Sequence, residues 1–302
     1  MYAPIVVFVY NRVEHAKGVL SSLAKCPEAK DSMLYIFSDG PKNEKAVSAV
    51  QTVREYIRSE EVQGSFGEVR VVESPKNKGL ANSVISGVDQ VIREHKRVIV
   101  VEDDNVVAVD FLDFMNRALD FYESDPPIWS VGGYTLPINI PKDYDRDVFL
   151  MGRGSSYAWA TWLDRWETID WEIRDYAEFK GNKKLRKAFN EFGDDAAYML
   201  DSQMAGRIDS WAIRFLYNAF KQNKKFILPT KSRVKNTGND GSGIHVSSTD
   251  TRFDTELATE VSPAVFESVS TVDKRLKKEF QKVFNVPFSV KCKRYVKALL
   301  KR

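Results

Sequence analysis

The sequence predicts an α/β fold, a mostly parallel sheet flanked by helices. Three segments place apolar residues at helical spacing, namely Glu14–Ala24, Glu44–Ile57 and Ala81–Ile92. Four short runs around them are rich in Val and Ile and have the character of buried strands, namely Ile5–Tyr10, Met33–Phe37, Val69–Val72 and Val98–Val101. Because strands and helices alternate in this way in βαβ units, we expect the first half of the chain to form a parallel sheet.

Length and composition indicate a globular protein with a sizeable core, since the chain has 302 residues and 43% of them are hydrophobic. Its two cysteines, Cys26 and Cys292, form no disulfide framework and no metal-ligand spacing, which favours a reducing compartment. The first apolar run leads directly into Asn11-Arg12 and is interpreted as a strand, not as a signal peptide. Because no stretch reaches the roughly 18–20 apolar residues of a membrane span, we expect a cytoplasmic protein.

The residues just after the predicted strands are candidates for ligand binding, because open α/β sheets bind ligands beyond the carboxyl ends of their strands. The fourth strand ends in three consecutive carboxylates, Glu102-Asp103-Asp104. Their mutual repulsion would be offset best by a hard divalent cation. The alternative is a solvated turn or an N-cap for a helix that begins near Asp110. The position of the triplet after a buried strand favours the cation.

Transfer from a nucleotide sugar would explain such a cluster, because Mn²⁺ or Mg²⁺ held by one or two carboxylates stabilises the charge on the departing diphosphate. The stretch EDDNVVAVDFLDF, from Glu102 to Phe114, resembles the strand-end acidic motif of glycosyltransferases with the Rossmann-like GT-A fold. It is most similar to the inverting β-N-acetylglucosaminyltransferase I type, and to bacterial surface-glycan glycosyltransferases. The first strand, which leads into Arg12, and the segment Ser38-Asp39-Gly40 resemble the same group in the same order.

The resemblance implies a role for each of these residues. It makes Asp104 the direct metal ligand, and it places Asp103 against the donor ribose or sugar and Glu102 against the sugar hydroxyls. It implies that Arg12 lies near the nucleotide, where an arginine suits uridine or phosphate contact, and that Asp39 contacts the uridine. A surface position is the alternative for Arg12.

Two further segments are candidates for donor binding. Asn77 and Lys78 follow the third strand and open a helix, whose N-terminus would hold nucleotide or phosphate; an ordinary turn is the alternative. Gly154 and Ser155 are expected in a donor-facing turn. Trp159, which follows them, falls with Trp162 and Trp166 on one helical face and is expected in the core, although an acceptor-binding platform is the alternative for this aromatic segment.

Asp209 is the candidate catalytic base, because an inverting transfer needs a carboxylate to take the proton of the acceptor hydroxyl. The sequence Asp209-Ser-Trp resembles the Asp-x-Trp motif of the same transferase group, although Ile208 stands where that group usually has Trp. The alternative is an N-cap of the helical run that follows. Asp201 and the pair Asp194-Asp195 are competing candidates for the base.

Two segments near the C-terminus carry further predictions. The polar loop 231–245 supplies His245 as a candidate metal or phosphate ligand, and Lys231, Arg233 and Lys235 either neutralise diphosphate or are solvated. From Asp273 to Arg302 there are 11 Lys or Arg and 2 acidic residues, so this tail carries +9, and the rest of the chain, given the net charge of +3, carries −6. This pattern suggests a helix at an anionic membrane surface; a helix packed on the body is the alternative, and nucleic acid is not expected as a partner.

Together these features predict an inverting glycosyltransferase. Residues 1–265 would form the GT-A domain, with a nucleotide-sugar half (1–130) and an acceptor half (131–265), and residues 266–302 would form a basic helical tail. The donor would be a UDP-sugar, first UDP-GlcNAc, with UDP-galactose, UDP-glucose or UDP-GalNAc as alternatives. The acceptor would be a glycan or a lipid-linked oligosaccharide. A sugar nucleotidyltransferase and a non-catalytic glycan-binding module are the competing functions.

Overall fold

The computed structural model describes residues 2–238, 251–258 and 263–286. Its first half alternates strands and helices as predicted. The elements are β1 (Ile5–Val9), α1 (Val13–Ala24), β2 (Met33–Ser38), α2 (Glu44–Ile57), α3 (Glu60–Gln63), β3 (Glu68–Glu73), α4 (Leu80–His95) and β4 (Arg97–Glu102).

The second half is less regular and holds shorter elements. They are β5 (Asn105–Val107), α5 (Phe111–Tyr122), β6 (Ile128–Gly132), β7 (Val148–Met151), β8 (Trp159–Trp162), α6 (Leu163–Trp166), α7 (Tyr176–Gly181), α8 (Lys183–Phe189), α9 (Ala196–Met204), α10 (Trp211–Lys221), β9 (Lys225–Pro229), β10 (Val234–Asn236) and α11 (Lys274–Phe284). Short 3₁₀ turns lie at Pro27–Asp31, Asn190–Phe192 and Thr251–Phe253.

Within the described residues, eight strands form one sheet in the order β3-β2-β1-β4-β8-β6-β9-β7. Strands β3, β2, β1 and β4 are parallel to one another. Strand β8 runs antiparallel to both of its neighbours, β4 and β6, while β9 is parallel to β6 and antiparallel to β7. The predicted α/β fold with a mostly parallel, helix-flanked sheet is confirmed.

Alternate residues of the strands fill two apolar cores, one on each face of the sheet. In β1, Val7 faces the core that includes α1 and α5, whereas Val6 and Phe8 face the core that includes α4 and α10. Burying one such side chain contributes about 1.5–3 kcal/mol. Because both faces are covered, the inner strands are largely apolar, and in β4 the charged residues Arg97 and Glu102 stand at the two ends of the strand.

The tryptophan-rich segment is buried, as expected, but the predicted single helical face is wrong for its first part. Residues 159–162 form strand β8, in which positions three apart point to opposite faces of the sheet. Trp159 therefore enters the core beside α10, while Trp162 enters the core beside α5. The spacing of the tryptophans is compatible with a helix or with a strand. The segment forms a strand because it pairs with a neighbouring strand on each side, β4 and β6.

Helices α9 and α10 are separated by a turn. Gly206 adopts φ +66°, a left-handed conformation that glycine takes without steric strain. The N-cap of α10 is Ser210, whose hydroxyl accepts a hydrogen bond from the Ile213 amide. The alternative role of Asp209 as the N-cap is therefore wrong, and its carboxylate is left for other contacts.

Helix α11, the described part of the predicted basic tail, packs on the body. Leu276 and Phe280 are buried in the α1/α5 core, and Asp273 caps the helix N-terminus. Its cations face outward, and Arg275 and Lys277 pair with Asp143 and Glu191. Residues 287–302, which carry the membrane-binding prediction, lie outside the described residues. None of the helices within residues 2–238, 251–258 and 263–286 is long and apolar enough to cross a membrane.

Candidate functional site

A pocket of about 450 Å³ opens at the carboxyl ends of β1, β2 and β4. The βαβ topology explains its position, because parallel strands present their carboxyl ends and the loops that follow them on one edge. The pocket brings together seven residues that the sequence identifies as candidates, namely Arg12, Asp39, Asn77, Glu102, Asp103, Asp104 and Asp209.

Arg12 pairs with two of the three carboxylates of the acidic triplet. It lies between β1 and α1, and its guanidinium forms an ion pair with Asp103 and a second one with Asp104 at 3.1 Å. All three side chains are largely buried. The alternative of a surface position for Arg12 is therefore wrong, since its charge is used inside the pocket.

The acidic cluster holds more negative charge than Arg12 compensates. Burial, and after it the charges of Asp104 and Asp103, raises the pKa of Glu102 to about 8. Burial also raises the pKa of Asp103, although the charge of Arg12 acts in the opposite direction. Burial would lower the pKa of Arg12, but the two aspartates outweigh it and the pKa is raised. An additional cation at this edge would favour the ionised form of all three carboxylates.

Asp104 is enclosed by the segment that runs toward the polar loop. Strand β10 pairs antiparallel with β5, with Asn236 opposite Asn105. The Asn236 side-chain amide donates to Asp104 Oδ1 at 3.0 Å, and the Thr237 backbone amide donates to the Asp104 carbonyl at 2.7 Å. At Gly238 the backbone passes so close to the Asp104 carboxylate that a Cβ atom would overlap it. The chain thus leads past Asp104 into residues 239–250; the predicted ligand His245 is among them and lies outside the described residues.

The carboxylate oxygens at this edge of the sheet fit a divalent cation that takes most of its ligands from a bound nucleotide and from water. Among the described residues, no three His, Cys, Asp or Glu side chains converge as a metal-binding group. Asp103 and Asp104 supply hard carboxylate oxygens at the wall of a pocket that is large enough for a nucleotide sugar. Mg²⁺ and Mn²⁺ at phosphates use one or two carboxylates, with water and phosphate oxygens completing the shell. Asp104, which the resemblance makes the metal ligand, has the required chemistry.

Asp39 organises the loop that forms one wall of the pocket. Its carboxylate accepts hydrogen bonds from the backbone amides of Lys78 at 2.9 Å and Gly79 at 3.0 Å, and from the Asn77 side chain at 3.0 Å. The Gly40 amide is a further donor at 2.9 Å. Both carboxylate oxygens are therefore engaged with the chain itself. Asn77 and Gly79 line the pocket, whereas the Lys78 side chain is exposed and this residue contributes its backbone amide.

Replacing Asp39 with Asn is expected to lower the free energy of unfolding by about 1–3 kcal/mol, because one amide group would face donors that then lack an acceptor. UDP affinity should fall as well, because the loop lines the pocket. Urea unfolding and calorimetric titration with UDP measure the two effects. Asp89→Asn, which removes an exposed carboxylate from α4, serves as the control. Unchanged stability and affinity in Asp39→Asn would contradict the assignment.

Asp209 reaches the pocket from the start of α10. Its side chain is 57% exposed and accepts one hydrogen bond, from Arg214 at 3.3 Å, among the contacts of the described residues. The Asp209 carboxylate also lies 3.7 Å from the position that a Cβ of Gly79 would take, so it faces the N-terminus of α4. There the helix dipole stabilises a negative charge.

The competing candidates for the base are engaged elsewhere. Asp201 pairs with Arg186 at 2.7 Å and accepts a hydrogen bond from Tyr176 at 3.0 Å. Asp195 pairs with Arg153 at 2.6 Å, and Asp194 accepts from a backbone amide at 2.7 Å. None of these three carboxylates lines the strand-end pocket, whereas Asp209 does.

Glu102 is held between the acidic cluster and the aromatic core, where the Trp211 indole donates to its carboxylate at 3.4 Å. Its folded pKa of about 8 exceeds the ordinary value of 4.5, so the folded state binds this proton more tightly than the unfolded chain does. The stabilisation is therefore complete below the unfolded pKa and is lost as the pH rises through about 8.

Glu102→Gln removes this titration. In metal-free protein, the unsubstituted chain should lose stability as the pH rises, whereas the variant should not lose it through this group. We therefore expect the free energy of unfolding of the variant, relative to that of the unsubstituted chain, to increase by about 1–3 kcal/mol between pH 5 and pH 8. Urea unfolding in the presence of a chelator at both pH values measures it. Glu167→Gln, at an exposed position, should show no such growth, and a pH-independent difference for Glu102→Gln would refute the expectation.

Two predicted groups lie elsewhere. Gly154 and Ser155 line a neighbouring pocket, not the strand-end pocket, and a Cβ at Gly154 would meet the Phe226 ring. Arg233 neither faces the strand-end pocket nor is solvated. It is buried, pairs with Asp110 at 2.9 Å and lies over the Phe114 ring.

Several pocket residues have no site role assigned to them in the sequence prediction. Trp211 and Asn236 contact Glu102 and Asp104, and the rings of Phe8 and Phe37 stack at a centroid distance of 5.4 Å in the pocket wall. Asn236 belongs to a loop that the sequence singles out for other residues. The two phenylalanines belong to apolar strand segments, and no sequence signal separates them from ordinary core residues.

Comparison with known proteins confirms the predicted resemblance. The chain is 26% identical over 201 residues to an Arabidopsis thaliana protein described as alpha-1,3-mannosyl-glycoprotein 2-beta-N-acetylglucosaminyltransferase. The match covers 61% of this chain and 44% of that protein, so the chain matches less than half of the length of this relative. No protein-family model matches the chain.

Two solved structures share part of the arrangement. Residues 1–349 of TarS from S. aureus align with a TM-score of 0.46 and 13% identity, covering 80% of this chain and 62% of that one. The mannosyltransferase PcManGT from Pyrobaculum calidifontis, in complex with GDP-Man and Mn²⁺, aligns with a TM-score of 0.39 and 12% identity, covering 74% and 69%.

Proposed function

We propose that this chain is an inverting glycosyltransferase that transfers a sugar from a UDP-sugar to a hydroxyl of a glycan or lipid-linked oligosaccharide. UDP-GlcNAc is the first candidate donor. The observation that supports the proposal most is the composition of the strand-end pocket, which Asp103, Asp104, Arg12 and Asp209 all line. The first three suit a diphosphate with its cation, and Asp209 suits an acceptor hydroxyl. The relative from Arabidopsis thaliana, by its name, transfers N-acetylglucosamine.

Asp104, with Asp103 beside it, would hold a divalent cation, Mn²⁺ or Mg²⁺. When bound, this cation supplies Lewis-acid stabilisation of the charge that develops on the leaving diphosphate, an effect worth several kcal/mol. Arg12 positions both aspartates and brings a fixed positive charge toward the same phosphates. Asn236 orients the Asp104 carboxylate through its hydrogen bond to Oδ1. The loop of Asn77 and Gly79, held by Asp39, forms the wall against the nucleotide.

Asp209 would accept the proton of the acceptor hydroxyl as its oxygen attacks the anomeric carbon. The bond from that carbon to the diphosphate oxygen breaks on the opposite side, so UDP leaves and the configuration inverts. Arg214 holds the carboxylate through its contact at 3.3 Å, while its Nε donates to the Ser210 carbonyl at 3.2 Å. This arrangement fixes Asp209 at the N-terminus of α10 with its carboxylate accessible.

We further propose that residues 1–265 form the transferase domain and that residues 266–302 follow it as a basic extension. The apolar face of α11 is covered by the domain, so an interaction with an anionic membrane would use its outward cations and the residues beyond 286. A cytoplasmic location, with contact at the inner face of the plasma membrane, agrees with this arrangement.

A panel of nucleotide sugars tests the proposed activity. The full chain should release UDP from one UDP-sugar in the presence of Mn²⁺ and a glycan acceptor, and anomeric analysis of the product should show inversion. Release of pyrophosphate from UTP and a sugar phosphate would instead identify a nucleotidyltransferase. Binding of UDP-sugar without turnover for any acceptor would identify a binding module. A product with the α configuration from an α-linked donor would exclude inversion.

A further inference from the structure

A second pocket of about 360 Å³ lies beside the strand-end pocket. Its wall is formed largely by apolar side chains from α9, α10, β9 and α11, among them Met199, Leu216, Phe226, Leu228, Phe280 and Phe284. Four residues, Ser156, Tyr157, Trp211 and Ala212, line both pockets. The two spaces are therefore neighbours that share a wall, and the second has the size of a small-ligand site.

Arg153, one of the two arginines that line the second pocket, is not placed to bind an anion. Arg153 is held by Asp195 through two hydrogen bonds, at 2.6 and 3.1 Å. The guanidinium carbon also lies 3.5 Å from the centre of the Phe284 ring. Because the Arg153 charge is matched by a bidentate carboxylate, this part of the wall offers an apolar surface with a neutral ion pair rather than a phosphate site.

The shared wall lies next to the candidate base. Asp209 lines the strand-end pocket, and Trp211, two residues later, lines both pockets. A sugar hydroxyl at Asp209 would therefore lie close to the entrance of the apolar space, and whatever is attached to that sugar would extend into it.

We propose that the second pocket binds an apolar aglycone, a hydrocarbon or aromatic group attached to the acceptor sugar. The proposal rests on the proposed transferase function and defines its acceptor class as amphipathic, with a sugar at Asp209 and an apolar group among Met199, Leu216 and Phe280. Burial of each methylene group increases affinity about fourfold. An acceptor with an alkyl chain should consequently have a much lower KM than the same sugar without it.

Alkyl glycosides of one sugar test the proposal without any substitution. Methyl, butyl and octyl glycosides of GlcNAc, galactose, glucose and mannose serve as acceptors, with UDP release as the readout. For the accepted sugar, KM should fall by about 50-fold or more from methyl to octyl, given the transfer free energy of buried methylenes, while the KM of the donor stays constant. Values within twofold across the series would overturn the proposal.

Met199→Trp tests the position of the site, because Met199 lines the second pocket but not the strand-end pocket. The larger ring should fill the space and remove the advantage of the octyl glycoside, with donor KM unchanged. Met204→Trp is the matched control, since Met204 ends the same helix and lines neither pocket in the described residues. Retention of the octyl advantage in Met199→Trp would place the aglycone elsewhere and overturn the proposal.

Calorimetric titration with octyl glucoside, below its micelle concentration, separates failure of the pocket from failure of the transferase function. Binding that Met199→Trp abolishes, in a chain that turns over no UDP-sugar, would sustain the apolar site and refute the transferase. UDP release without any octyl-dependent binding would sustain the transferase and refute the apolar site.

Discussion

Asp209→Asn is expected to lower kcat by about 10²–10⁴-fold, the contribution of a positioned general base. The amide keeps the shape of the side chain and an oxygen that can accept from Arg214, but it cannot take the proton of the acceptor hydroxyl. The KM for the UDP-sugar should change little, because the proposed phosphate-binding groups are Asp104 and Arg12 and not Asp209. Steady-state kinetics with the donor and acceptor identified by the panel measure both constants.

Asp164→Asn is the matched control for this experiment. Asp164 is 62% exposed and pairs with the buried Arg165, as the 57% exposed Asp209 pairs with Arg214. The two substitutions therefore remove the same charge from the same kind of ion pair. Loss of activity in both would indicate a general electrostatic effect, and retained turnover in Asp209→Asn would remove this residue as the base.

Asp104→Asn should reduce kcat/KM by about 10³-fold at a metal concentration that saturates the unsubstituted chain, since stabilisation by a metal of several kcal/mol is lost. The amide is a poor ligand for a hard cation. It retains an oxygen for the hydrogen bond from Asn236, so the β5–β10 contact should survive. Titration of activity with Mn²⁺ should show a large rise in the concentration needed for half-maximal rate.

Asp113→Asn provides the comparison, because Asp113 pairs with Arg117 on α5 and is partly exposed outside the pocket. UDP binding should separate the two variants further. A chelator should weaken UDP binding in the Asp113 variant but not in the Asp104 variant. If both variants respond to the chelator as the unsubstituted chain does, Asp104 is not the metal ligand.

The sheet edge could be predicted from the sequence because its signals are local. Apolar runs followed at once by polar residues mark strand ends, and topology alone brings Arg12, Asp39 and Asp104 to one side. The ion pair between Arg12 and Asp103 spans 91 positions in the chain, yet it follows from the parallel pairing of β1 with β4. The fold class is therefore recoverable from periodicity.

The rest depends on contacts that periodicity does not encode. Trp159 and Trp162 are spaced as on a helix, and only pairing on both sides makes them a strand. Ser210 is the N-cap of α10, although Asp209 is an equally suitable residue for that position. The sequence pattern does not decide between them, because the two helix starts differ by only one residue. Arg233 becomes buried because Asp110 and Phe114 lie beneath it, and these partners are more than 100 residues away.

The position of β8 has a consequence for how the chain folds. This strand comes from the second half of the sequence but lies between β4 and β6, and it inserts one tryptophan into each core. Because β8 belongs to both cores, unfolding of either core would disrupt the packing of the other. The first and second halves of the chain should therefore unfold in one cooperative transition. A fragment that ends at residue 130 would leave β4 as an unpaired edge, open to self-association.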